Sequence, residues 1–412
     1  MFIQRNNEKI NLLKKELSKN NGILRLTPTW VPRAFLMPGR RLRLDPQDLY
    51  ALGANRGGID ERWFASTVRV DNPGAPEDEG LSYIVIAKTA GIKKILLKEA
   101  TELMGEKLLG SEIMAKHNGW MVLTKFFDNL GPIPFHMHQT DRDAKKVGRL
   151  GKPEAYYFPL QLNFTRNNFP YTFFGLKSGT TKEDIKKCLQ RWNKGDNGIL
   201  DFSKAYRLKL GTGWDVPVGI LHAPGSLVTY EPQRSSDVFG MFQSMVEGRY
   251  VEREFLTKDV PKELHQDFDY LVEMLDWEKN VDPEFGKNRF RAPIPVKELD
   301  EMRENGYEEK WVVYGSQYFS AKELTIFPKR EAVIKDKGAY GFILVQGHGL
   351  IENLEMETPV MIRFKQLTND EFFVTYNRAR QGVKIVNKSS EDNLVMLKHF
   401  GPDNSEAPII QQ

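Results

Sequence analysis

From Trp311 to the C-terminus, seven short runs follow one another at nearly even spacing: YFSAKELTIF, REAVIKD, YGFILVQG, PVMIRFKQL, EFFVTYN, GVKIVN and LVMLKHF. Each is rich in β-branched and aromatic residues and ends in turn-forming ones, which predicts an all-β module. Residues 280–295 mix proline, glycine and charge and read as a linker or crossover, so a domain boundary is expected there, dividing the chain into 1–290 and 291–412. At 412 residues two domains are the natural expectation. The first part also holds strand-like stretches, so the predicted class is mainly β: two barrels without visible sequence repeat, the first extended by helices.

Charges of both signs are interspersed and sum to only +4, with no basic stripe interleaved with aromatics, so nucleic acid is not an expected partner. The single cysteine, Cys188, rules out a disulfide framework within the chain and a cysteine zinc site. The N-terminal stretch MFIQRNNEKINLLKKELSKNN lacks an apolar signal core, and no run reaches the ~18 apolar residues of a membrane span. A cytoplasmic protein is expected, and no membrane partner.

Along the first part, Ile10, Leu13 and Leu17 share a helical face that Gly22 would end. Asp45 and Pro46 predict a short helix, and Arg56–Val70 a glycine turn into an alternating strand anchored by Trp63. Leucine and isoleucine spacing predicts a helix over 91–104, and Trp120–Phe127 reads as a buried strand. Thr180 and Glu183 read as a capping box for a helix to about Trp192; a further helix is expected from Asp259 and Pro261 to about Trp277.

The chemistry concentrates in Gly131–Phe158. In an extended strand His136 and His138 point to the same side. A glycine-bearing connection leads to Lys152-Pro-Glu154 and the apolar run Ala155–Phe158, a returning strand that brings a carboxylate. Pro217-x-Gly219-x-x-His222 adds a turn and a third imidazole. His136, His138, Glu154 and His222 are therefore the candidate ligands of one divalent ion: zinc first, with manganese, iron, nickel or cobalt also compatible with three imidazoles and a carboxylate. His117, His265, His348 and His399 have no partners at ligand spacing and read as surface or structural residues.

Gly131, His136-x-His138, Glu154 and Pro217-x-Gly219-x-x-His222 resemble the two motifs of the cupins, double-stranded β-helix (jelly-roll) proteins that bind a metal inside a small barrel; with the C-terminal β module, which also fits the resemblance, a bicupin is implied. The long interval between His138 and Glu154 is similar to that of class I mannose-6-phosphate isomerases. So are Glu61-x-Trp63 with Ser66, the Gly151–Glu154 turn, His222-Ala223 and Glu231-x-Gln233-x-Ser235-Ser236-Asp237. The resemblance implies that His138, Glu154 and His222 are zinc ligands, that His136 stands where the family has glutamine, and that Lys152 faces the sugar phosphate or its hydroxyls. The family's arginine four residues after the Ser-Asp pair is Met241 here, and Arg234 and Arg249 do not align with it.

An aldose–ketose isomerase needs a Lewis acid on the carbonyl and hydroxyl oxygens and a base that carries a proton between adjacent carbons. Glu231 is the candidate base and Lys152 the second candidate catalytic residue. The expected function is thus a metal-dependent sugar-phosphate isomerase with a sugar or sugar phosphate as partner. The alternatives are a metal-containing cupin that binds carbohydrate without turnover, which Met241 favours, or a metal cupin oxygenase or epimerase.

Overall fold

The computed structural model describes residues 2–88, 91–166 and 168–410. Strands dominate, and every ladder between named strands is antiparallel. One seven-stranded sheet runs in the order 290–291, 213–216, 154–157, 229–234, 122–127, 59–64, 29–32; a five-stranded sheet of 203–207, 171–176, 222–223, 136–137 and 240–241 lies against it. The two meet through Tyr156, Phe174, Trp214 and Phe285. The C-terminal part forms a second seven-stranded sheet and a four-stranded one. Strand Ile23–Arg25 pairs with Glu371–Val374, so the N-terminal segment completes the C-terminal sheet.

Several C-terminal strands read as continuous apolar runs because both faces are buried. In Leu394–Phe400, Leu394, Met396 and Phe400 belong to the core between the C-terminal sheets. Val395 and Leu397 lie in a larger core shared with Phe126, Tyr157 and Tyr230 of the first sheet. Period-2 alternation is intact, but it separates two cores rather than core from water. Between the C-terminal sheets Lys322 and Lys398 are buried against Asp336, each at 2.7 Å, with Glu309 beside them.

The 280–295 stretch carries Phe290–Arg291, which pairs with Gly213–Trp214, and Ile294–Pro295, which pairs with Lys310–Trp311. Two strands four residues apart thus close sheets in different halves of the molecule.

Local expectations fare unevenly. Helix Phe2–Lys19 buries Leu13 and Leu17 and stops before Gly22 at φ +81°. The helix expected over 91–104 is instead strand Gly91–Leu96, hairpinned on Tyr83–Lys88, followed by helix Leu97–Leu109. A short apolar run such as GIKKILL fits both periods, and pairing with a neighbouring strand decides. The capping box forms one residue later than expected, between Thr181 and Asp184, on helix Lys182–Gln190. The long helix expected from Asp259 to Trp277 is broken into Lys262–Leu264, Phe268–Glu273 and Trp277–Asn280. Asp267 and Asp276 each accept from the backbone N–H three residues on, and each such cap starts a new turn in place of continuing the old one. Among the described residues no helix is long and apolar enough to cross a membrane.

Candidate metal centre

His136 and His222 lie directly opposite each other in neighbouring strands of the five-stranded sheet, and His138 follows one residue past the strand end. The turn before His222 fixes that approach. Gly219 has φ +75°, its N–H donates to the His138 carbonyl at 2.8 Å, and a Cβ there would sit 2.9 Å from the Asp276 nitrogen, so glycine is required. Facing the imidazoles, the seven-stranded sheet presents Glu154, Glu231, Lys125 and Glu61; Gln233 is in register with Glu154, and Glu231 with Lys125.

Each imidazole uses Nδ1–H to donate to a backbone carbonyl: His136 to Pro134 at 2.9 Å, His138 to Val238 at 2.8 Å, His222 to Ile220 at 2.8 Å. This fixes the tautomer and turns the Nε2 lone pairs inward. One ring nitrogen from each histidine lies within 4.8 Å of those of the others. The Nε2 of His138 is 2.9 Å from Glu154 Oε2 and that of His222 is 3.0 Å from Oε1, yet none of His138 Nε2, His222 Nε2 and Glu154 Oε2 completes a hydrogen bond.

Burial pushes the His138 imidazole down to about 3 and also lowers His136, against the pull of Glu154. Burial acts to raise Glu154, but His138 and Lys152 outweigh it and hold the carboxyl well below its usual range. Lone pairs of neutral imidazoles thus face an ionised carboxylate at hydrogen-bond distance, in a place with almost no solvent. Such an arrangement is repulsive until a cation lies between the groups, and the donor set fits a divalent metal.

Around this cage charge alternates. Lys152 Nζ is 3.3 Å from Glu154 and 4.0 Å from Glu231; Lys125 Nζ is 3.2 Å from Glu231 and 3.3 Å from Glu61. Arg33 bridges Glu61 at 3.2 Å and Asp237 at 2.9 Å. Burial, then the charge of Glu154, pushes Glu231 up to about 8, with Lys125 and Lys152 pulling the other way. Tyr156 donates its hydroxyl to Glu154 at 2.7 Å. Phe35, Phe127, Ile133, Phe239 and Met241 form the apolar wall, and the free space left is about 30 Å³, room for an ion and one or two waters.

All six residues singled out from the sequence, His136, His138, Lys152, Glu154, His222 and Glu231, thus come together at one place. Arg234 and Arg249 do not reach it: Arg234 pairs with Asp141 over the Tyr318 ring, and Arg249 with Glu247. The guanidinium in the pocket is Arg33, one residue beyond edge strand Thr29–Pro32, in a stretch rich in proline and arginine. Lys125 was also missed; its signal is a lone lysine inside the buried run Val122–Phe127. Of the remaining histidines, His399 is fully buried, while His117 bonds Asp403 and His265 the Val260 carbonyl.

No protein-family model and no curated protein sequence matches the chain. Comparison of folds does find relatives. The mannose 6-phosphate isomerase from Bacillus subtilis aligns at TM-score 0.57 and 18% identity over 92% of this chain and 99% of that one. A point variant of the phosphomannose isomerase from Salmonella typhimurium aligns at 0.59 and 12% over 92% and 100%, and a mannose 6-phosphate isomerase bound with zinc and yttrium at 0.58 and 12% over the same shares. The resemblance read from the motifs therefore extends to the fold of nearly the whole chain.

Proposed function

We propose that this protein is a metal-dependent aldose–ketose isomerase acting on a sugar phosphate, of the mannose-6-phosphate isomerase kind, with two cupin barrels meeting near residues 290–291 and one divalent ion, zinc in the first place, in the first barrel. The observation that carries the proposal is the clustering of three carbonyl-anchored imidazoles, two of which, His138 and His222, face Glu154 at 2.9 and 3.0 Å, with Glu231 two salt-bridge steps away through Lys152.

His136, His138, Glu154 and His222 would hold the ion, which when bound would supply Lewis acidity to the carbonyl and neighbouring hydroxyl of an open-chain sugar. Glu231 carries the proton between the two carbons. Its carboxyl, raised by burial and then by the charge of Glu154, takes up a proton more readily than an ordinary carboxylate, as the base of an isomerisation through an enediol requires. Lys125 fixes that carboxylate from the adjacent strand, and Lys152 orients the sugar hydroxyls. The half-buried Phe35, packed edge-on to Phe255 and against Phe239, lines the pocket beside Arg33 and Met241.

A screen of mannose 6-phosphate, other sugar phosphates and free sugars, run with zinc, manganese and iron in turn, tests this; interconversion of an aldose and its ketose is the expected result. Metal-loaded protein that binds sugars but converts none supports the second reading, a carbohydrate-binding cupin, which Met241 at the place of the family arginine favours.

A further inference from the structure

Three polar pairs cross from the pocket's seven-stranded sheet to the C-terminal sheet, and each begins at the strand neighbour of a pocket residue. Arg62, next to Glu61, makes two 2.8 Å hydrogen bonds to Asp370 and a third, at 3.3 Å, to Glu371. Tyr157, next to Tyr156 and on the strand that begins at Glu154, donates to Glu323 at 2.7 Å. Tyr230, next to Glu231, shares a hydrogen bond with Nδ1 of His399 at 3.1 Å. All seven side chains are buried. Alternation along a strand explains the geometry: a residue facing the pocket has neighbours facing the other domain.

The contact between the domains does not need these pairs to hold. Phe126, Ala155, Val312, Ile343, Val395 and Leu397 join there in one apolar core. A buried polar pair is often no more stabilising than apolar residues of the same volume, because desolvation offsets attraction. What it adds is direction, since a hydrogen bond weakens steeply off axis and apolar contact does not.

We infer that Arg62, Tyr157 and Tyr230 are positioning residues, through which the C-terminal sheet sets the placement of Glu61, Glu154 and Glu231 around the pocket. The kinetic consequence rests on the isomerase reading; the structural one does not. Small displacements matter, since misplacing a reacting group by about 1 Å costs up to about 10²-fold in rate.

The test uses the full chain loaded with cobalt(II), whose visible spectrum reports ligand geometry without any turnover. Tyr157→Phe and Tyr230→Phe remove one hydroxyl each; His399→Gln keeps a polar partner for Tyr230, and His399→Leu does not. The expected result is folded protein with full metal content, an altered cobalt spectrum in Tyr157→Phe, and kcat lowered about tenfold or more at unchanged KM in Tyr230→Phe and His399→Leu, with His399→Gln nearer wild type. Wild-type cobalt spectrum in Tyr157→Phe together with wild-type kcat in Tyr230→Phe would overturn the inference. If the wild type turns over no sugar phosphate, the isomerase reading fails by itself and the cobalt spectrum alone decides.

Discussion

Nε2 of His138 lies 2.9 Å from Oε2 of Glu154 while the same ring's Nδ1–H is committed to the Val238 carbonyl. Two lone-pair-bearing atoms at that distance, both buried, call for a cation between them. His138→Ala and His222→Ala should each lose the metal yet remain folded, because an apolar core spanning both halves of the chain, rather than the ion, holds the structure. Elemental analysis with circular dichroism decides; stoichiometric metal in both variants would remove these residues from the ligand set.

Glu231→Gln keeps the size of the side chain and removes the proposed base. Turnover should fall by about 10²–10⁴ with metal content unchanged. Wild-type rates in this variant would take Glu231 out of the mechanism.

Arg33 is sandwiched between Glu61 and Asp237 at 3% side-chain exposure. Arg33→Met leaves two buried carboxylates without their shared cation, and breaking such a pair costs about 3–5 kcal/mol. Urea unfolding should show a loss of that order. A change within about 0.5 kcal/mol, the range of ordinary surface substitutions, would mean that Lys125, beside Glu61, and Lys258, whose charge also acts on Asp237, neutralise the carboxylates unaided.

The deep burial of His399 lowers its imidazole to about 3. Between pH 6.5 and about 3 the unfolded chain therefore binds a proton that the folded chain refuses, and stability falls as the pH drops through that window. At pH 5 the contribution is about 2 kcal/mol relative to pH 7. His399→Gln should show a correspondingly shallower decline in urea titrations at the two pH values; an unchanged slope would contradict the linkage.

The candidate metal cage was legible in the sequence because the residues proposed as its ligands sit at fixed spacings within strands and a glycine turn, where local geometry dictates direction. His136-x-His138 needed only the two-residue period, and Gly219 only its place in the Pro217-x-Gly219 turn, where its φ is indeed positive. Arg33 and Lys125 were not legible. Their partners Glu61, Asp237 and Glu231 are 28 to 204 residues away, and nothing local marks a buried charge as paired. The C-terminal strands were read from composition, but the two-faced burial of Leu394–Phe400 depends on a sheet from the other half of the chain. The missed strand at Gly91–Leu96 and the broken helix before Trp277 fail for a related reason, since pairing and aspartate caps overrode an ambiguous apolar period.

The most direct test measures metal content and mannose 6-phosphate isomerisation on the same sample: as purified, after chelation, and after reloading with zinc or manganese. The expected result is one ion per chain, conversion that disappears with the ion and returns with it, and solvent deuterium appearing at the reacting carbon. A chain that binds no divalent ion, or one whose conversion of the sugar phosphate is indifferent to chelation, would contradict it.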